Sequence, residues 1–309
     1  MNRLAGIVVA VVGFLIAVLS VLKIIPGLTS TGVIMLLLGG LMIGLSFISK
    51  PESEGADRMP TGSTLLNIFV APAEVFRNLR RHPRWLVAVL IMSIMSAIFS
   101  NLFLYRLGAD RVANFAIDKT LEMSFIQNNE QAKKGVEDSR PQAIADAKNP
   151  VIRAGQAVNG FAGLVFFMAF LGLVFFLFAL AMGGKMSYWQ AFSAAVYAMF
   201  PVAVLRFVLN TIILFLKDPT DIHPITGQSN LIQDNLNFLF TAADHPLLYT
   251  LAGMFSLLWF YWIWLNATGL KNAGEKVSSS TAWTASLSVY FLIVILASIA
   301  ALIFPSFIS

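Results

Sequence analysis

Few residues of this chain could do chemistry, and their placement narrows the choice. It has three histidines (His82, His223 and His245) and no cysteine, which rules out disulfides, thiolate catalysis and cysteine-based metal sites. His223 and His245, with Asp221, Asp234 and Asp244 nearby in sequence, offer nitrogen and oxygen to a metal outside the membrane, but their spacing matches no known cage. Arg206 stands alone among apolar residues, one helical turn before Asn210. An ionisable residue at membrane depth is a functional candidate by default, so Arg206 and Asn210 are the intramembrane polar candidates. Two readings of Arg206 stay open. It is either structural, leaning toward the external interface or bonding Asn210, or it lines a path for a solute.

Other chemistries lack their parts. No Asp, Glu, His or Lys falls within the core of an apolar run, which disfavours proton-coupled transport and intramembrane aspartyl proteolysis. Serine catalysis lacks a nearby base. There is no His-Glu-x-x-His metal motif, no phosphate-binding loop and no dinucleotide fingerprint. The expectation is a protein that is not an enzyme, with no catalytic residue, no cofactor and no bound metal.

The densest charge lies in Pro72-Ala73-Glu74-Val75-Phe76-Arg77-Asn78-Leu79-Arg80-Arg81-His82-Pro83-Arg84-Trp85, with four arginines between positions 77 and 84. Pro72 suits the first turn of a helix, and Pro83 discourages its continuation. At 100° per residue, Pro72, Val75, Phe76 and Leu79 share one side, while Glu74, Arg77, Asn78 and Arg81 share the other. The pattern predicts a short amphipathic helix over 72–82 at the cytoplasmic interface. Pro72, Phe76, Arg77, Arg80, Arg81 and Trp85 are the candidates for contact with a membrane surface or a partner. A helix that only sets topology is the competing reading.

What must position these residues is a membrane scaffold. The chain is 58% hydrophobic and only 12% charged, against roughly 25% charged in soluble domains. Seven apolar stretches, about 4–25, 28–48, 85–105, 157–183, 188–216, 246–270 and 282–305, meet the roughly 20 residues that cross a hydrocarbon core of about 30 Å. Runs without strict alternation must be helices, since lipid satisfies no backbone hydrogen bond. The expected fold is an all-α integral membrane protein of about seven transmembrane helices. Met1-Asn2-Arg3 followed by a long apolar run, with no small-x-small cleavage site, reads as an anchor rather than a signal peptide.

The arginines at 77–84 are the strongest vote on orientation. Basic residues flanking short loops mark the cytoplasmic side, which places the N-terminus inside and the C-terminus outside. The net charge of +5 then reflects helix flanks that meet anionic lipid, not nucleic-acid binding. The lipid bilayer is the expected partner; a protein partner stays open, and so does the oligomeric state. A bacterial cytoplasmic (inner) membrane is the expected location.

Three regions follow along the chain. A hairpin spans 1–48, with small residues at heptad spacing: Gly6, Gly13 and Ser20, then Gly32, Gly39 and Ser46. Gly40 and Gly44 add a small-xxx-small pair. Such spacing allows close backbone approach in lipid. A Pro-, Gly-, Ser- and Glu-containing stretch over 49–66 reads as a flexible linker, which makes the hairpin an accessory. Residues 67–309 hold the remaining five spans, with external loops at 106–156 and 217–245. The first loop mixes charges at helical spacing; the second is rich in Pro, Asn and Gln. The aromatic run Trp259–Trp264 reads as helix packing and interface anchoring.

Three stretches in that last region resemble the YIP (Ypt/Rab-interacting protein) family of polytopic membrane proteins, its bacterial branch in particular. They are Phe69-Val70-Ala71-Pro72-Ala73-Glu74-Val75-Phe76 with His82-Pro83-Arg84-Trp85; Tyr188-Trp189-Gln190-Ala191-Phe192 with Tyr197 and Pro201; and Trp262, Gly269-Leu270, Ser278 and Ala282. The resemblance covers about 67–305 and implies a five-helix core. Established family members act in membrane traffic, binding small GTPases and shaping membranes. The Asp-Leu-Tyr-Gly-Pro segment of eukaryotic members is missing here, and a hairpin replaces their soluble N-terminal region, so GTPase binding does not carry over. The expected function is membrane organisation or partner binding. The alternative is a small-solute or lipid transporter or channel, with a cavity among the last five helices.

Overall fold

The structure, a computed structural model, describes residues 3–49, 57–228 and 231–307. Those residues form helices and no strand. The linker expectation over 50–56 lies outside them.

The helices are α1 (Arg3–Val21), α2 (Thr29–Leu45), α3 (Thr61–Val70), α4 (Pro72–Arg81), α5 (Leu86–Leu107), α6 (Ala109–Leu121), α7 (Ser124–Gln127), α8 (Glu130–Asp138), α9 (Arg140–Lys148), α10 (Pro150–Ala181), α11 (Tyr188–Leu216), α12 (Pro246–Met254), α13 (Leu257–Ala273) and α14 (Ser279–Ile303). Five of them (α1, α5, α10, α11 and α14) are long and apolar enough to cross a membrane. The expected span over 246–270 is not one straight helix. It breaks between Met254 and Leu257 with a bend of 49°, and counts as a sixth span only if α12 and α13 cross together. The remaining expected span is α2, 17 residues long, which at 1.5 Å per residue covers about 26 Å. By contrast α10, at 32 residues, runs to about 48 Å and outlasts a hydrocarbon core of about 30 Å.

Two compact units are present. One comprises Met1–Ser96, Pro150–Pro201 and Trp264–Ser286; the other comprises Ala97–Asn149, Val202–Ile263 and Leu287–Ser309.

In the first unit the hairpin is closed by absent side chains. A Cβ on Gly13 would lie 2.5 Å from the Leu36 backbone nitrogen, and one on Gly39 would lie 2.5 Å from that of Ala10. Gly32 is as tight, at 2.4 Å from the Ala17 backbone nitrogen, and Gly6 comes to 2.9 Å from the Ile43 side chain, whereas Gly40 and Gly44 have nothing within 4 Å. The heptad set therefore marks the contact, and the small-xxx-small pair does not. Ser20 accepts the Leu28 amide at 3.2 Å and bonds the Thr29 hydroxyl at 2.9 Å, tying the end of one helix to the start of the next. The hairpin also packs on α10. Gly155 sits against Leu28 and Thr31, and Asn159 donates to Ser30 at 3.5 Å.

Helix α3 begins inside the stretch expected as linker. Thr64 donates its hydroxyl to the Pro60 carbonyl at 2.9 Å, closing the first turn. The chain then kinks at Ala71 (φ −139°), because the residue before a proline is pushed out of the helical region, and α4 restarts at Pro72.

In the second unit, Phe99, Phe103, Leu107, Val112, Leu214, Ile222 and Leu231 form a core. The first long loop contains four helices, α6 to α9. The second contains three short 3-10 turns, at Pro219–Asp221, Thr226–Gln228 and Asn237–Leu239.

Candidate functional site

The amphipathic helix forms over the expected residues, but its apolar side is covered by protein. Val75, Phe76 and Leu79 are each 0% exposed. A Cβ on Gly269 would come within 3.0 Å of the Phe76 ring, so α13 needs glycine there to admit it. Gln190 of α11 donates to the Arg80 carbonyl at 2.8 Å, satisfying an acceptor at the C-terminal end of α4. Pro72 is half-buried, and Trp85 packs its ring 5.2 Å from that of Phe192. Of the six contact candidates, Arg77 and Arg81 are exposed and Arg80 is half-buried. What α4 offers outward is thus its polar face alone.

The stretches that carry the family likeness act as fasteners in this unit. The Trp189 indole donates to the Ile48 carbonyl at 2.9 Å, and the Tyr188 hydroxyl donates to the Ala169 carbonyl at 3.2 Å. Trp189, Phe192 and Tyr197 are almost fully buried.

Beside α4 lies a cavity of about 730 Å³, within the range of about 300–1,000 Å³ typical of ligand sites. Its polar lining includes Arg58, Arg81 and Arg84, all outside the spanning helices; its apolar lining includes Ala5 of α1, Leu38 of α2 and Val165 of α10. Arg84 gives one guanidinium nitrogen, Nη2, to the Thr64 hydroxyl and to the Asn78 side-chain oxygen, the latter at 3.3 Å. Its Nε and Nη1 are buried and have no hydrogen-bond partner. Burial lowers the Arg84 pKa, and the charge of Arg58 pushes the same way against an opposing contribution from Tyr197, though a guanidinium stays protonated.

Sequence reasoning counts Arg84 as a topology signal and Tyr197 as part of the family resemblance, and gives neither Arg58 nor Thr64 a place in a site. The compact arginine run is visible in the sequence; its junction with Arg58 and with three apolar helices is not.

The intramembrane candidates belong to the second unit and do a different job. Asn210, 2% exposed, accepts the backbone amides of Leu231 and Ile232 at 2.9 and 3.2 Å. Arg206 is half-buried and has Asp234 as its electrostatic counterpart. The Asp234 carboxylate accepts from the Ser256 hydroxyl and, at 3.1 Å, from the Leu258 amide. The second bond satisfies an amide freed at the start of α13, where the bent span is interrupted. His223 accepts two backbone amides, of Ile225 and Thr226, on Nδ1. No group of three metal-type ligands comes together among the described residues. In the aromatic run, Trp262 is buried and Trp259 packs on Trp262 and Tyr290, while Phe260 and Trp264 face outward.

Compared with known proteins, residues 66–302 match the family model described as the Yip1 domain. No curated protein and no solved structure matches the chain.

Proposed function

This chain belongs to the Yip1-domain family of multi-pass membrane proteins, and from that premise we propose a non-enzymatic, membrane-organising role in which the basic face of α4 gathers anionic lipid. The observation that carries this reading is the split of α4: Val75, Phe76 and Leu79 are sealed in protein, while Arg77 and Arg81 are exposed. A rigidly seated helix holds its cations at fixed positions, so little ordering cost opposes their contact with headgroups. Each basic residue near an anionic surface contributes about 1 kcal/mol, screened by salt.

The proposed setting is a bacterial inner membrane with the N-terminus cytoplasmic. A chain without cysteine makes the orientation directly testable. Single cysteines at Arg58, Lys134, Gln228 and Lys276 should react with an impermeant maleimide in intact cells only at 134 and 228. Labelling at 58 would reverse the orientation.

Energy transfer from the tryptophans to pyrene-labelled phosphatidylglycerol, in vesicles mixed with phosphatidylcholine, tests the role itself. The wild-type chain should enrich phosphatidylglycerol around it, less so at high salt. Arg77→Glu with Arg81→Glu should remove most of the enrichment. An unchanged signal leaves α4 as a topology anchor and points to a protein partner instead.

The competing reading, passage of a solute or lipid, draws its support from Arg206. Arg206→Leu should insert normally and lower thermal stability alone. Flux through wild-type liposomes that this substitution abolishes would favour transport.

A further inference from the structure

Three cations converge on the cavity beside α4, and among the described residues no acid is paired with them. Among the described residues, the ion pairs are Lys119–Glu122, Arg140–Asp118, Arg140–Glu137 and Lys148–Asp110; none involves Arg58, Arg81 or Arg84. Asp57 and Glu74, the nearest described acids in sequence, form none with them either. A buried guanidinium donor without an acceptor is costly, because its lost hydration is not replaced, and Arg84 carries two. The other half of the lining has the opposite character. Ala5, Leu38 and Val165 come from three helices of membrane-type composition, and nothing in that wall could receive a polar ligand. The site therefore asks for one molecule that is anionic at one end and hydrocarbon at the other. A phosphate diester matches the cations, since guanidinium groups bond phosphate oxygens in pairs and with charge assistance.

We propose that this cavity is a specific seat for one anionic phospholipid, its phosphate held by Arg58, Arg81 and Arg84 and an acyl chain lying along α1, α2 and α10. The hairpin then has a task of its own, because Ala5 and Leu38 build the acyl wall. The seat goes beyond the surface reading: it is saturable and stoichiometric, and it shares only Arg81 with the exposed face of α4. A soluble anion lacks the apolar half of the match, and a zwitterionic lipid carries an added cation toward three arginines.

The test uses the full chain, delipidated in a neutral maltoside detergent and titrated with short-chain phosphatidylglycerol while native mass spectrometry counts bound molecules. The expected result is one retained lipid per chain, with phosphatidylcholine of equal chain length at least about tenfold weaker. Inorganic phosphate at the same concentration should leave the bound lipid in place. Arg58→Gln with Arg81→Gln should weaken binding by about tenfold or more. Ala5→Trp, and separately Met42→Trp, should fill the apolar wall, which Met42 of α2 also lines, and abolish binding while the chain stays folded by thermal unfolding. Arg77→Glu should reduce lipid enrichment in vesicles yet keep the single retained lipid, so the seat and the surface reading can fail separately. Equal binding of phosphatidylcholine, full displacement by inorganic phosphate, or undiminished binding in both folded tryptophan variants would each overturn the proposal.

Discussion

In the unit that contains α6 to α9, Arg106, Arg111 and Arg140 end on oxygens of the chain itself. Arg206, which does not line the cavity beside α4, keeps a buried Nε without a hydrogen-bond partner. Arg106 donates to the carbonyls of Leu214 and Lys217 at 3.4 and 3.1 Å. Arg111 reaches the carbonyls of Pro219, Thr220 and Ile222. Arg140 holds Glu137 with two bonds, at 2.9 and 2.8 Å, and Asp118 with a third at 2.8 Å. In the unit that contains the hairpin, close backbone contact supplies the cohesion, and Arg84 keeps two donors without an acceptor. A cation whose bonds close within the chain is a building part. A cation left unsatisfied beside a cavity is held ready for something the chain does not contain.

The contrast can be broken where it is strongest. Gly13→Leu forces a side chain into the Leu36 backbone and should cost about 3 kcal/mol or more, the upper end of overpacking; thermal unfolding in a fixed detergent measures it. Gly40→Leu, facing open space, should be silent. Equal losses at both positions would mean that close approach is not what holds the hairpin.

A smaller effect compares arginines directly. Arg106→Gln removes charge-assisted bonds to two terminal carbonyls of the α11 segment and should cost about 2 kcal/mol. Arg84→Gln loses its bonds to Thr64 and Asn78 but also removes two unsatisfied donors, so its cost should stay within about 1 kcal/mol in lipid-free detergent. Anionic lipid should then stabilise the wild type and not this variant. If Arg84→Gln proves the costlier change without lipid, the guanidinium is a structural part and the contrast fails.

The smallest effect is a titration. The bonds from Arg140 hold the Glu137 carboxyl below the ordinary glutamate range. A lowered carboxyl favours the folded state above its unfolded pKa, and that contribution disappears as pH falls through the folded value. Arg140→Ala should therefore raise the Glu137 midpoint toward that of a free glutamate, read by NMR of the labelled side chain. An unmoved midpoint would show that the pair does not persist in solution.

Much of this protein is decided locally and was open to reading from the residues. Span-length apolar runs force helices because lipid offers the backbone no other partner, and the heptad glycines of the hairpin are its contact surface. Pro72 and the arginine pattern suffice for α4. Three things depended on long-range packing. The apolar stripe of α4 has the same sequence whether it meets lipid or protein; only the placement of Gly269 and Gln190 decided for protein. The break at Phe255–Ser256 has no proline to announce it, and it is stabilised by Asp234 from the preceding loop. The amphiphilic cavity joins Arg58, Arg84, Ala5 and Val165, which no window of sequence holds together, because a cavity is a property of the surfaces that packing leaves apart.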